Sequence, residues 1–200
     1  MREAPTTLPR LDGRTIVVTG SRRAVEQSAL VSNLGGSPYV VPTVGISIPT
    51  TDSEVEPFLR ELASPGRMDY AVFMTATGVR TMMLSAERLG LKDEILNSLS
   101  GSKTKVVARG GKPRGELAKH AIKVDSSPPR EKATASGIVE LLKATGLKGA
   151  AVAMIWHGSR DESMVTAIRE AGAREVLECV TYRYSRGLGP KEARLLGSMG

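Results

Sequence analysis

The 200-residue chain is 40% hydrophobic and 24% charged, enough for one large or two small globular domains and free of the bias of a fibrous or disordered protein. Its net charge of +7 points to an acidic partner (nucleic acid, an anionic membrane surface, or a phosphate or polycarboxylate ligand), while 4% aromatic content weakens any case for base stacking. Cys179 is the single cysteine, which excludes an intramolecular disulfide; no run reaches transmembrane length and residues 1–14 lack a signal-type apolar core, so the expected location is the cytoplasm.

Residues 1–13, with Pro5 and Pro9, read as a loose arm. Thr15 to Thr19 is a strand, and a helix follows whose apolar side is Ala24, Leu30, Val31 and Leu34, stopped by Gly35 and Gly36. Between them Gly20, Ser21, Arg22 and Arg23 turn the chain, either as an anion-friendly edge or as a solvated arginine pair. Residues 38–49 are extended, β-rich and broken by prolines, as in an exposed ribbon or a crossing between domains. Ser53 and Glu56 make a capping box for a helix running to about Ala63, with Pro57 early enough to be tolerated.

Tyr70 to Met74 is a short apolar run, the pattern of a strand buried on both faces of a parallel sheet. Thr75, Ala76, Thr77 and Gly78 crowd small, hydrogen-bonding residues into the next turn, and Val79, Met82, Met83 and Ala86 then recur at helical spacing. Uncovered amides at a helix start favour a negative charge, so this turn can hold an anion. The same residues also suit a plain capped turn.

A short helix is expected over residues 92–99 and a strand over residues 105–108. In the turn from Arg109 to Pro113, Gly110 and Gly111 expose amides beside Arg109 and Lys112, a second place for a phosphate or carboxylate. A helix carries Glu116 to His120, the latter read as exposed or capping. Neither P-loop spacing nor a Gly-x-Gly-x-x-Gly run occurs. A short strand over residues 122–124, a Pro-rich loop over 126–131 and a helix over 137–144 follow. Residues 149–156 form a long apolar strand ended by His157 and Gly158, with Trp156 packing in the core or at an edge. Ser159 and Glu162 make a second capping box, opening a helix that turns Met164, Val165, Ile168 and Ala171 inward and stops at Gly172. Residues 176–184 read as one strand with Val176, Val180 and Tyr182 on a shared face, and a last helix starts at Pro190.

Strands and helices alternate almost throughout, so the fold class is α/β with parallel sheets. Ligands in such folds sit beyond the carboxyl ends of the strands, where all three small-residue turns lie. Two histidines and one cysteine, far apart, give no familiar metal-ligand spacing, and no nucleophile signature is present.

The order of motifs resembles the uroporphyrinogen-III synthase family. The matching residues are Ile16 to Arg22, the proline-flanked ribbon after Gly36, Val72 to Val79, Val106 to Lys112, and Thr181, Tyr182 and Arg183. The resemblance implies two parallel-sheet α/β domains joined by a two-stranded ribbon. Residues 37–184 would form the second, inserted domain, and residues 1–36 with 185–200 part of the first, since family members continue with a further strand–turn–helix unit. It implies a hydro-lyase of haem biosynthesis that cyclises hydroxymethylbilane, a linear tetrapyrrole with eight carboxylates, inverting the last ring. No cofactor is implied, and the expected state is a monomer without nucleic-acid or membrane partners. Ser21, Arg22, Thr75, Ala76, Thr77, Gly78, Arg109, Gly110, Gly111, Lys112 and His157 would bind substrate, and Tyr182 would assist departure of the hydroxyl or line the ribbon with its own hydroxyl in water. Pro113 stands where many members carry threonine. A tetrapyrrole-binding or regulatory module of the same fold is the alternative. Nucleic-acid binding fits less well, because the basic residues are scattered rather than striped along one helix.

Overall fold

A computed structural model describes residues 10–20, 23–41, 44–47, 52–101, 103–156 and 158–186. In chain order the elements are β1 (Thr15–Val18), α1 (Ala24–Asn33), β2 (Ser37–Val40), β3 (Val44–Ser47), a 3-10 turn (Asp52–Glu54), α2 (Glu56–Ala63), β4 (Tyr70–Phe73), α3 (Ala76–Arg88), α4 (Lys92–Ser100) and β5 (Lys105–Ala108). They continue with α5 (Gly111–Ala118), a second 3-10 turn (Arg130–Lys132), α6 (Ala135–Thr145), β6 (Ala151–Ile155), α7 (Glu162–Glu170), β7 (Glu175–Cys179) and β8 (Arg183–Arg186). By contact density the chain divides into two units, Met1–Ser47 with Tyr184–Gly200, and Ile48–Arg183.

In the first unit β1 and β2 pair in parallel, from Thr15 opposite Ser37 to Val18 opposite Val40, with α1 as the connection. Tyr39 and Val40 therefore belong to this sheet, and the ribbon is made by β3 and β8, which pair as a separate two-stranded sheet. The expected apolar side of α1 is buried only at Val31, while Leu30 is 56% and Val25 82% exposed. Among the described residues the sheet beneath this helix has two strands, less than its apolar face is wide. The expected helix from Pro190 lies outside the described residues.

The second unit is built on one parallel sheet in the order β5-β4-β6-β7. Every residue of β4 and of β6 is buried. Strand geometry sends alternate side chains to opposite faces. Ala71, Phe73, Val106, Ala153 and Ile155 pack on one face against Leu59, Val79, Met82, Ile95 and Leu117 from α2, α3, α4 and α5. Tyr70, Val72, Met74, Val152 and Met154 pack on the other against Ile138 and Leu142 of α6 and Val165 and Ile168 of α7. Helices on both faces are why these strands read as unbroken apolar runs.

Local differences from the sequence reading have identifiable causes. The 3-10 turn delays α2, so Val55 precedes it and no side chain caps it. Helix α7 is capped by Asp161, whose carboxylate accepts from the Met164 amide at 3.1 Å, while Arg160 is drawn to Glu178 and Glu162. Residues 122–124 form no strand. Instead the edge of β5 is served by Asp125, which accepts the Val106 amide at 2.7 Å, and by Ser126, whose carbonyl accepts from Ala108. The expected single strand over 176–184 is two: β7 ends at Cys179, residues 180–182 leave the sheet, and β8 starts in another.

Candidate functional site

The carboxyl edge of the four-stranded sheet gathers the turns after β4 and β5 and the exit from β7. Phe73, Ala108 and Ile155 end their strands in register, so the adjacent turns start at the same level. After β4 the backbone is extended at Thr75, and its hydroxyl accepts the Gly78 amide at 2.9 Å, capping α3. The amides of Ala76 and Thr77, in the same first turn, have no intrahelical carbonyl to reach. Gly78 has a packing reason to be glycine: a Cβ there would stand 2.9 Å from the Trp156 carbonyl oxygen, at the end of β6. Its absence lets the start of α3 lie against that strand end.

Tyr182 is 1% exposed, and its hydroxyl lies 3.3 Å from Thr75 Oγ1. The phenol is thus buried at the helix start, rather than lining a ribbon with its hydroxyl in water. Thr75 has a proton and a second lone pair to share with it while accepting from Gly78. The neighbouring Thr181, fully buried, holds this segment: its hydroxyl donates to Thr81 Oγ1 at 2.6 Å and has the Gly78 carbonyl 3.3 Å away. Thr81 Oγ1 in turn donates to the Thr77 carbonyl at 2.9 Å. This buried hydroxyl chain carries residues 180–182 out of the β7 line and onto α3. The sequence reading missed Thr81 and Thr181 as partners, because 100 residues separate them and neither stands out locally.

After β5 the turn is shorter than expected. Arg109 donates its amide to the Phe73 carbonyl at 3.0 Å, Gly110 is the extended residue before the helix, and α5 already begins at Gly111. Gly111 and Lys112 therefore lie in the first helical turn, both exposed, and Pro113 is buried at a position where a missing amide costs little. Glu116, 7% exposed, ties α5 to α3 by accepting from Arg80 at 3.2 Å, and it also accepts from Lys119 at 2.9 Å. The hydrogen bond from Arg80 is the main cause holding its carboxyl below the usual range; desolvation opposes and Lys119 assists. A cavity of about 360 Å³ opens beside Gly110 and Gly111, with Arg114, Ser127 and Arg130 in its wall. These three were absent from the sequence-based site, since Arg114 lies inside α5 and the Pro-rich loop over 126–131 carries no motif that marks Ser127 or Arg130.

After β6, Trp156 is fully buried and its indole donates to Glu178 at 3.0 Å, a packing role. Of the expected site residues, Thr75, Ala76, Thr77, Gly78 and Tyr182 come together at one turn, and Arg109, Gly110, Gly111 and Lys112 form the turn of the neighbouring strand. Ser21, Arg22 and His157 lie outside the described residues.

A Bacillus subtilis (strain 168) protein, uncharacterized protein YjjA, is 30% identical over 172 residues, which is 86% of this chain and 61% of that protein. The chain thus spans about 61% of the length of this curated relative. Among solved structures, a mutant uroporphyrinogen III synthase from the extremely thermophilic bacterium Thermus thermophilus is similar with a TM-score of 0.70 at 24% identity, covering 94% of this chain and 68% of that one. The wild-type form from the same organism gives 0.58 at 23% identity with the same coverage. These likenesses establish a shared fold of parallel-sheet α/β units. The family model described as uroporphyrinogen-III synthase HemD matches residues 7–196, and the chain belongs to that family.

Proposed function

We propose that the chain binds hydroxymethylbilane and closes it to the ring isomer with the last pyrrole inverted, the uroporphyrinogen-III synthase reaction. The observation that carries this reading is the buried Tyr182 hydroxyl 3.3 Å from Thr75 Oγ1 at the start of α3. The bilane's terminal hydroxyl must leave as water, which requires a proton at that oxygen. In this reading the Tyr182 phenol, held by the capping threonine, gives that proton, and the helix start favours the negative charge left behind. The substrate's carboxylates suit the amides of Ala76, Thr77, Gly110 and Gly111, with Arg109 and Lys112 adding charge. Ser21, Arg22 and His157 are assigned to carboxylates on their sequence motifs. Such a site works mainly by positioning, because the bilane closes without inversion when left alone, and positioning is a large lever on rate.

The test is a coupled assay with freshly formed hydroxymethylbilane in which the two product isomers are separated. Formation of the inverted isomer, lost in Tyr182→Phe, supports the reading. Accumulation of the uninverted isomer alone rejects turnover by this chain, and tight uroporphyrinogen binding in that case identifies a tetrapyrrole-binding module.

A further inference from the structure

Tyr182 meets Thr75 Oγ1 at 3.3 Å, long for a pair of hydroxyls, which usually close to about 2.7–2.8 Å. That contact alone does not fix where the phenol points. The residue before it is gripped far harder: Thr181 Oγ1 stands 2.6 Å from Thr81 Oγ1, and both side chains are buried. A hydroxyl has one proton to give. Thr81 gives its own to the Thr77 carbonyl, one helical turn back at 2.9 Å, so Thr181 is the donor of the pair. The result is a directed chain, from Thr181 to Thr81 to the Thr77 carbonyl, that begins beside Tyr182 and ends in the first turn of α3.

Packing does not call for these hydroxyls. Valine has the shape of threonine and would suit a helix that already buries Val79, Met82, Met83 and Ala86. A buried hydroxyl costs free energy unless it is bonded, and threonine is among the poorer residues for a helix interior. What the hydroxyl pair adds over an apolar contact is direction: a short hydrogen bond sets both distance and angle, where two methyl groups would slide past each other. The backbone carries that constraint to Tyr182, one peptide (~3.8 Å) further on. Residues 181 and 182 are thus held to α3 firmly at its second turn and loosely at its cap.

We propose that Thr81 and Thr181 are positioning residues for Tyr182: their hydroxyl pair aims the phenol at the start of α3, and neither touches substrate. The catalytic part of this role rests on the reading of Tyr182 as proton donor; the hold on the phenol does not. The test compares the parent with Thr181→Val, Thr181→Ser and the double variant Thr81→Val/Thr181→Val. Two readouts are taken: formation of the inverted isomer, and the Tyr182 resonance in chain labelled with carbon-13 at the tyrosine Cζ, identified by its loss in Tyr182→Phe. The double variant removes both partners of the bond, which is close to neutral for stability, so it keeps the test open if the single valine variant unfolds. In the valine variants kcat should fall about tenfold with KM changed by no more than about twofold, and the Tyr182 resonance should move, while Thr181→Ser restores both. The Tyr70 resonance should stay in place, since its hydroxyl donates to the Thr145 carbonyl at 2.9 Å, at the amino end of β4. A folded double variant whose Tyr182 resonance does not move overturns the proposal, whatever its kcat. So does a serine variant that behaves like the valine one, because the methyl group would then be what matters. If the parent forms no inverted isomer, the synthase reading falls, and the resonance by itself carries or overturns the hold on Tyr182.

Discussion

Replacing Gly78 with alanine sets two effects against each other in a way the structure can decide. The added methyl would stand 2.9 Å from the Trp156 carbonyl oxygen, 3.2 Å from Thr75 Oγ1 and 3.4 Å from Ile155 Cγ2. The first contact is with backbone, at a strand end whose Trp156 amide is bonded to the Cys179 carbonyl at 2.9 Å, so it cannot swing aside like a side chain. Alanine favours a helix interior over glycine by ~1 kcal/mol. Overpacking against a fixed neighbour costs ~1–3 kcal/mol, and disturbing the threonine cap costs ~1 kcal/mol. The net expectation is a loss of about 1–3 kcal/mol, lowering the urea midpoint by roughly 0.5–1.5 M. Trp156 is the only tryptophan and is fully buried beside the substitution, so its fluorescence reports the second unit's unfolding. A midpoint equal to or above that of the parent would refute the reasoning, since helix propensity would then have outweighed the close approach.

Tyr182→Phe keeps the buried ring and removes one hydroxyl, so stability should change by no more than ~1 kcal/mol while kcat for the inverted isomer falls by ~100-fold or more; an unchanged kcat would remove Tyr182 from the chemistry. Glu116 is held below its ordinary range by Arg80, so its contribution is complete above that range and fades as pH falls through the folded-state value. Glu116→Gln should therefore be less stable than the parent at neutral pH, with the gap in urea midpoint narrowing in acid, and a gap independent of pH would contradict the ion pair's role. Burial pushes the Cys179 thiol up to about 12, so the native chain should resist alkylation at about pH 8 and react once unfolded in urea. Rapid labelling of the folded chain, followed by mass spectrometry, would show the site to be open.

The central strands were readable because burial on both faces writes itself into consecutive residues. Tyr70 to Phe73 and Ala151 to Ile155 are apolar without alternation whichever helices cover them. The helix starts were less readable, because several residue types cap equally well. Ser159 and Asp161 both qualify, and the choice went to Asp161 once Arg160 was engaged by Glu178, a partner 18 residues away. The break between β7 and β8 was invisible for a similar reason. Val176 to Tyr182 holds no glycine or proline to mark a break, and the contacts of Thr181 with Thr81 and Gly78 and of Tyr182 with Thr75 hold residues 180–182 out of the sheet.

What the residues determined by themselves is the class of fold and the chemistry of its turns: apolar runs that must be covered on both faces, and small residues where strands give way to helices. The tertiary structure decided which of those turns meet. The strand order β5-β4-β6-β7 brings Thr75 to Tyr182, 107 residues apart, and sets Arg114 and Arg130 around one cavity. Neighbourhood across a parallel sheet depends on how its crossovers stack, and no local run of sequence encodes that order.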